Sequence, residues 1–489
     1  MKNTITSIQS FCKEKGFVFP NSLIYGGLSG VWDFGPLGIE LKNNIKSSWW
    51  NFFVNSSENI IGMESSILSK KQIWDASGHT QNFVDAIIKC KKCKSNYRAD
   101  HLINDILKIP TDNLDLNELN ELIKKQNIKC QKCKGDLDKA KPFNLLFQTK
   151  IGPEQSKESI AIMRPETAQL IFTNFKLIQN TTRKKLPFGI AQIGSAYRNE
   201  ISPRNFLFRC REFEQMEIEF FIDKNDEKCR LEYTKDKKEI TQMLNQKILV
   251  YTADMQEKNK KEQELDFNYL IKNKIIKQEY IAYWIWQYYV WLNKIGIDLK
   301  KLRIREHTKQ ELSHYSVQTF DIEYNFPFGF KEIIGVADRG NYDLSQHQKF
   351  SGQKQEILNN NEKKIIPYCI EPSCGIGRII LTLLFDNLET FKDKQGQDYT
   401  IFHLKPFIAP VKIAVLPLIK KLSTKAREVY KKLLNQNICI QYDEAGSIGR
   451  RYARQDEIGT PYCRYFFNYI AGIVVYYACL FCKQQCSVF

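Results

Sequence analysis

The amino-acid sequence predicts a multidomain α+β protein that ends in a small α/β unit of parallel type, and three observations lead there. A chain of 489 residues is too long for one ordinary domain and suggests roughly two to four. Stretches rich in strand patterning occupy 160–222 and return at 318–385. From 406 the pattern changes to strand, helix, strand: an apolar run at 411–418, then Ala426, Val429, Tyr430, Leu433 and Leu434 on one helix face, then a second strand at 438–442. No internal repeat is visible.

The remaining elements follow in chain order. Residues 17–85 mix aromatic strands with Gly-rich turns and one helix. Gly35-Pro36-Leu37-Gly38 is a turn signal, and Ile39, Leu41, Ile45, Trp49 and Phe52 after it trace a helical apolar face. Residues 88–140 form a Lys- and Asn-rich insert bounded by cysteine pairs. Residues 223–310, charged and then aromatic, read as a mostly helical insertion, with the run Tyr280 to Trp291 as its core. The segment 386–405 reads as a polar linker.

Composition narrows the class. Hydrophobic residues make up 43% of the chain, enough for several cores, and 72 basic against 55 acidic side chains give a formal net charge of +17. Such an excess suits a polyanionic partner, above all nucleic acid; a Lys-rich solvated surface is the competing reading. Fourteen cysteines in a chain this long do not make a disulfide scaffold. The N-terminus carries no secretory pattern, and the longest apolar stretch, 469–482, is shorter than the roughly 20 residues a spanning helix needs. The expectation is a cytoplasmic protein with no membrane segment.

Chemistry concentrates in 186–221. Two strands are expected there, joined near 201–205, where Pro203 breaks pairing. Alternation places Arg209, Arg211, Phe213, Gln215, Glu217 and Glu219 on one face of the second strand, and Arg198 with Glu200 on one face of the first. Guanidiniums grip phosphate bidentately and a ring stacks on a base, so this face suits ATP; a solvated strand of alternating charges has the same periodicity. The pairs Cys90-x2-Cys93 and Cys130-x2-Cys133 have the spacing of two knuckles holding a structural Zn²⁺ through four thiolates, against the alternative of reduced thiols in a loop.

These residues carry a resemblance. Arg198-Asn199-Glu200 followed by Arg209-x3-Phe213 resembles motif 2 of class II aminoacyl-tRNA synthetases; Glu371-Pro-Ser-Cys-Gly-Ile-Gly-Arg378 resembles motif 3; Gly35-Pro36 and its helix resemble motif 1. Five longer strings, in order, resemble the homodimeric glycyl-specific family: Trp74-Asp-Ala-Ser-Gly-His79, Tyr97-Arg-Ala-Asp100, Arg164-Pro-Glu-Thr-Ala-Gln169, Arg211-Glu-Phe-Glu-Gln-Met-Glu217 and Arg454-Gln-Asp-Glu-Ile-Gly-Thr-Pro461.

The resemblance implies a class II antiparallel-sheet catalytic core over 1–400, with 88–140 a zinc-knuckle insertion and 223–310 a helical one, then an anticodon-binding α/β domain over 406–489. It implies glycine–tRNA ligation with ATP and Mg²⁺, tRNA(Gly) as partner, and a homodimer. For ATP it points to Arg198, Asn199, Glu200, Phe208, Arg209, Phe213, Glu332, Ile333, Gly375, Gly377 and Arg378, with Arg198, Arg209 and Arg378 catalytic. For glycine it points to Arg98, Glu166, Phe213, Gln215, Glu217, Glu371, Ser373 and Gly375. A synthetase of other specificity and a non-catalytic RNA-binding relative are the alternatives. The sequence departs from the family pattern at Gly340-Asn341, at Ala453, and throughout 464–489, an apolar run with two readings: the product of a disrupted reading frame, or a genuine lineage-specific tail that packs on a partner.

Overall fold

The computed structural model describes residues 3–466 and 475–477, apart from 110, 112–113, 154–155, 157–158 and 393–395. Its centre is a nine-stranded sheet, predominantly antiparallel. In chain order the strands are β1 (Ile60–Gly62), β2 (Phe188–Tyr197), β3 (Glu212–Ile222), β4 (Lys247–Tyr251), β5 (Gln263–Asp266), β6 (Leu302–Glu306), β7 (Gln318–Phe326), β8 (Gly329–Gly340) and β9 (Tyr368–Gly375). Across the sheet they run β5-β4-β6-β7-β8-β9-β3-β2-β1. Only the β1–β2 and β4–β6 pairs are parallel.

Five helices matter for the site: α1 (Pro36–Trp50), α2 (Ala168–Thr182), α3 (Glu279–Ile295), α4 (Tyr342–Ser351) and α5 (Ile376–Asn387). Helix α1 starts on Pro36, where the missing N–H costs nothing. Its buried face is Leu41, Ile45 and Trp49; Ile39, expected on that face, is exposed. A Cβ on Gly38 would lie 1.8 Å from the Phe17 carbonyl oxygen, so only glycine lets α1 approach that backbone. Helix α3 is the aromatic run, and nearly its whole circumference is buried. It packs with α1 and with Met216, Ile218 and Phe220 of β3 in the main core. Two of its polar tips find partners across the interface with α1: Tyr288 Oη accepts from Trp49 Nε1 at 3.1 Å, and Trp291 Nε1 donates to Ser48 Oγ at 3.2 Å, whereas Trp284 Nε1 and Tyr289 Oη are buried without one. The opposite face of β3 is left for Phe213, Gln215 and Glu217.

Several sequence expectations are corrected. Residues 198–211 do not belong to the two strands; they form a loop between β2 and β3, closed by the Arg198 N–H donating to the Arg211 carbonyl at 2.8 Å. Arg211 therefore leaves the strand face: its Nη1 donates to the Ser29 carbonyl and its Nε to the Glu200 carbonyl. The strand-rich stretch 160–222 contains α2, and 318–385 contains α4 and α5. The region 223–310 is not simply a helical insertion, because β4, β5 and β6 extend the central sheet through β7. The segment 386–405 is no linker but a hairpin, Leu388–Lys392 with Asp398–Phe402.

The cysteine-bounded insert has a core of its own, built from Ile88, Ala99, Leu102, Ile103, Leu119, Ile123 and Ile128. Its first strand, Val84–Lys89, pairs with Lys141–Asn144, so the excursion leaves and returns side by side.

Beyond the hairpin lies a second sheet, in the order Ile440–Tyr442, Ile413–Pro417, Tyr462–Phe466, Val475–Tyr477. Its first three strands are parallel, as expected of a βαβ unit. Most of 464–489, singled out above as atypical, lies outside the described residues. No described helix is long and apolar enough to cross a membrane.

Candidate active site

The loop 198–211 folds over β3, β9, β8 and β7 and encloses a cleft of about 320 Å³. Fourteen of the residues singled out above line it: Glu166, Arg198, Glu200, Phe208, Arg209, Phe213, Gln215, Glu217, Glu332, Glu371, Ser373, Gly375, Gly377 and Arg378.

One end carries guanidiniums and rings. Arg198 lies over the Phe213 ring, 5.2 Å from its centroid, and its Nε donates to the Pro165 carbonyl at 3.0 Å. Arg378 stacks on Phe208 at 4.6 Å and pairs with Glu332 at 2.9 Å. The Arg209 guanidinium faces Glu200 at 3.8 Å, beyond hydrogen-bond reach. Arg209 Nη1 and Glu200 Oε2 are both buried without a hydrogen-bond partner. Such orphans are costly in a closed core and are expected where a ligand completes the set. Close by, His307 and Asp321 pair at 2.7 Å. Burial, and then the charge of Glu332, push Asp321 up to about 6. The hydrogen bond and charge of Asp321 outweigh burial and raise His307.

The other end is a floor of carboxylates. Glu217 Oε1 accepts from Gln215 Nε2 at 2.6 Å and Ser373 Oγ at 2.7 Å, and Thr167 donates to Oε2 through both its N–H and its hydroxyl. Glu166 accepts from Gln169 at 3.1 Å and faces His79 at 3.3 Å. Glu371 is held by Arg339 Nη1 at 2.8 Å. Burial raises Glu217, with Glu166 adding to it. Burial, assisted by Glu217 and Glu166 against the pull of Arg339, brings Glu371 to about 8. A pocket floor of this sign attracts a cation.

Three expected residues lie outside the lining. The Asn199 N–H donates to the Leu145 carbonyl, and Ile333 belongs to the main core. Arg98 is held by Asp85 and Asp100, each at 2.8 Å, though it still feels the charge of Glu200. In the second domain Arg451 is buried and donates to the Pro417 and Gly446 carbonyls, while Arg450 is exposed. Sequence reasoning missed Arg339, Tyr315, His307 and Asp321. Alternation along β7, with Thr319, Asp321 and Glu323 on one face, was a signal that reaches Asp321.

A second constellation lies in the insert. The Sγ atoms of Cys90, Cys93, Cys130 and Cys133 all lie within 4.8 Å of one another, with Cys90–Cys133 and Cys93–Cys130 at 3.5 Å. Bonds of about 2.3 Å to a tetrahedral ion imply sulfur–sulfur spacings of about 3.8 Å, so the set fits a thiolate-bound metal.

Comparison with known proteins agrees with this geometry. Residues 150–387 match the tRNA synthetase class II core domain (G, H, P, S and T), and residues 412–464 match an anticodon binding domain. A glycine–tRNA ligase of Geobacillus thermodenitrificans is 43% identical over 470 residues, covering 95% of this chain and 90% of that protein. One from Clostridium kluyveri is 44% identical over 472 residues, covering 94% and 90%. Among solved structures, a Giardia lamblia prolyl-tRNA synthetase in complex with prolyl-adenylate superposes with a TM-score of 0.54 at 13% identity, over 94% of this chain and 70% of that one, and shows the shared fold. With relatives this similar along nearly its whole length, and both domain matches in order, the chain belongs to the glycine–tRNA ligase family of class II aminoacyl-tRNA synthetases.

Proposed function

We propose that this protein activates glycine with ATP and transfers it to the 3′ end of tRNA(Gly), using the cleft on the central sheet. The observation that carries the reading is one cavity with arginines and aromatic rings at one end and buried carboxylates at the other.

Adenine lies between Phe213 and the Arg378 guanidinium, with Glu200 on its amino edge. Arg198 holds the α-phosphate and Arg209 the outer phosphates; its unpartnered Nη1 gains there the hydrogen bonds it lacks. Asn199, Phe208, Ile333, Gly375 and Gly377 frame the nucleotide through backbone and shape. Glu332 fits a Mg²⁺ accompanying ATP, and that ion, when bound, neutralises phosphate charge. Glu166, Glu217, Glu371 and Ser373 hold the glycine ammonium, with Gln215 steadying Glu217. Arg98, near the site, is the anion partner for the glycine carboxylate once it exchanges an aspartate for it.

The carboxylate of glycine attacks the α-phosphorus, pyrophosphate departs, and glycyl-adenylate remains. The terminal ribose hydroxyl of tRNA then attacks the carbonyl carbon and AMP departs. No side chain acts as nucleophile; Arg198, Arg209 and Arg378 supply positioning and charge. Glycine has no side chain to grip, so selectivity is exclusion of a Cβ. Pockets reject smaller competitors poorly, at about 1–3 kcal/mol per methylene, but no standard amino acid is smaller than glycine.

The four cysteines hold a structural Zn²⁺ that fixes the insert. Residues 1–400 form the catalytic part and 406 onwards the anticodon-binding part. The protein acts in the cytoplasm as a homodimer, which sedimentation analysis tests. ATP–pyrophosphate exchange with each standard amino acid tests the activity: exchange with glycine alone is expected, while exchange with another amino acid, or with none, overturns the reading.

A further inference from the structure

One guanidinium beneath the carboxylate floor has no part in the reaction described above. Arg339, at the end of β8, is 1% exposed and does not line the cleft. It is nonetheless in contact with two of the floor's acids: its Nη1 donates to Glu371 at 2.8 Å, and its Nη2 lies 3.7 Å from Glu166. Asp343 on α4 accepts two hydrogen bonds from it, from Nε at 2.8 Å and from the same Nη2 at 2.9 Å. The Tyr315 ring covers its face at 3.9 Å.

Asp343 extends the arrangement sideways. Gln169 of α2 donates to Asp343 at 2.8 Å and to Glu166 at 3.1 Å, and its own oxygen faces His347 Nε2 at 2.9 Å. Asp343 and His347 stand one turn apart on α4. Glu166 and Glu371, which come from different parts of the chain, are thus tied to one buried cation and, through it, to one helix.

We propose that Arg339 is the positioning residue of the amino-acid subsite: anchored by Asp343, it fixes Glu371 and Glu166 in the spacing that receives the ammonium and keeps their mutual repulsion in check. The inference rests on the reading of that subsite as the glycine site. A planar fork is needed because three carboxylates are met in three directions at once; an ammonium on a flexible stem meets them less well. Burial favours a neutral Glu371, and Arg339 is the group that pulls it toward the charged form.

The test measures KM for glycine and for ATP, and kcat, by pyrophosphate exchange in the full-length parent and in Arg339→Gln, Arg339→Lys and Asp343→Asn, with thermal unfolding of each. The expected result is a rise of about tenfold or more in glycine KM for Arg339→Gln, with ATP KM within about twofold of the parent, and partial recovery in Arg339→Lys. Should Arg339→Gln fail to fold, Asp343→Asn, which keeps the shape and removes the anchoring charge, is expected to raise glycine KM selectively. A folded Arg339→Gln with parental glycine KM overturns the inference, as does an equal rise in both KM values or, when only Asp343→Asn folds, an unchanged glycine KM in it. A parent without glycine-dependent exchange instead overturns the glycine-site reading, and this inference with it.

Discussion

Glu166 and Glu371 share one buried neighbour, Arg339, yet their carboxyl groups move in opposite directions. Burial raises Glu166, but His79 and Arg339 outweigh it and hold it below the usual range; Glu371 goes up to about 8. Because the folded protein keeps the Glu371 proton to higher pH than the unfolded chain does, this group's contribution to stability is greatest at acid pH. That contribution declines as pH rises from the ordinary carboxylate range through about 8. An incoming ammonium favours the ionised form, so binding glycine below that pH releases a proton. Glycine KM is therefore expected to fall as pH rises from about 6.5 to 8.5, and Glu371→Gln to flatten the profile; steady-state exchange kinetics check both. Arg378→Ala is expected to lower kcat/KM for exchange by about a hundredfold or more, since it removes charge stabilisation and half of the adenine stack. At this scale, Phe213, Gln215 and Glu217 were legible because a strand repeats every second residue. Arg339 was not: it stands alone beside a turn, and its importance lies in partners that are distant in sequence, Glu166 and Glu371.

Helix α3 shows the same contrast among elements. Its aromatic run announces a buried helix, and Trp291 is fully buried against Phe53 and Tyr288. Trp291→Ala is expected to cost about 3–5 kcal/mol of unfolding free energy in denaturant titration, from the lost ring and the space it leaves. The strands that flank this helix in sequence escaped detection. β4, β5 and β6 span only four or five residues each and are separated by charged stretches, too short for alternation to stand out. Their pairing is settled by the long neighbour β7, which no local pattern reports. The loop 198–211 was misread for a related reason. Its alternating charges continue those of β3, but the Arg211 N–H is taken by the Gly30 carbonyl, not by a strand partner.

In the molecule as a whole, apolar cores divide the labour. The insert packs Ile88, Leu102 and Leu119 among themselves, apart from the core that carries α3 and the sheet. Stripping metal from the cysteine site with a chelator is expected to raise amide hydrogen exchange across 88–140 while leaving the sheet strands protected. Hydrogen-exchange mass spectrometry on the full chain reads both regions in one experiment. The order of the larger units was legible, because the strings that mark the cleft and the parallel strand pattern after 406 follow one another along the chain. How the insert is seated was not, because that depends on which strands close its base. Val84–Lys89 and Lys141–Asn144 lie next to each other, so the two cut points are already bridged by backbone hydrogen bonds. A tight hairpin turn, or an unrelated folded cargo with adjacent termini, can be spliced between them without breaking that pairing; the exchange takes Arg98 with it, so it separates how the insert is seated from what it contributes to the cleft.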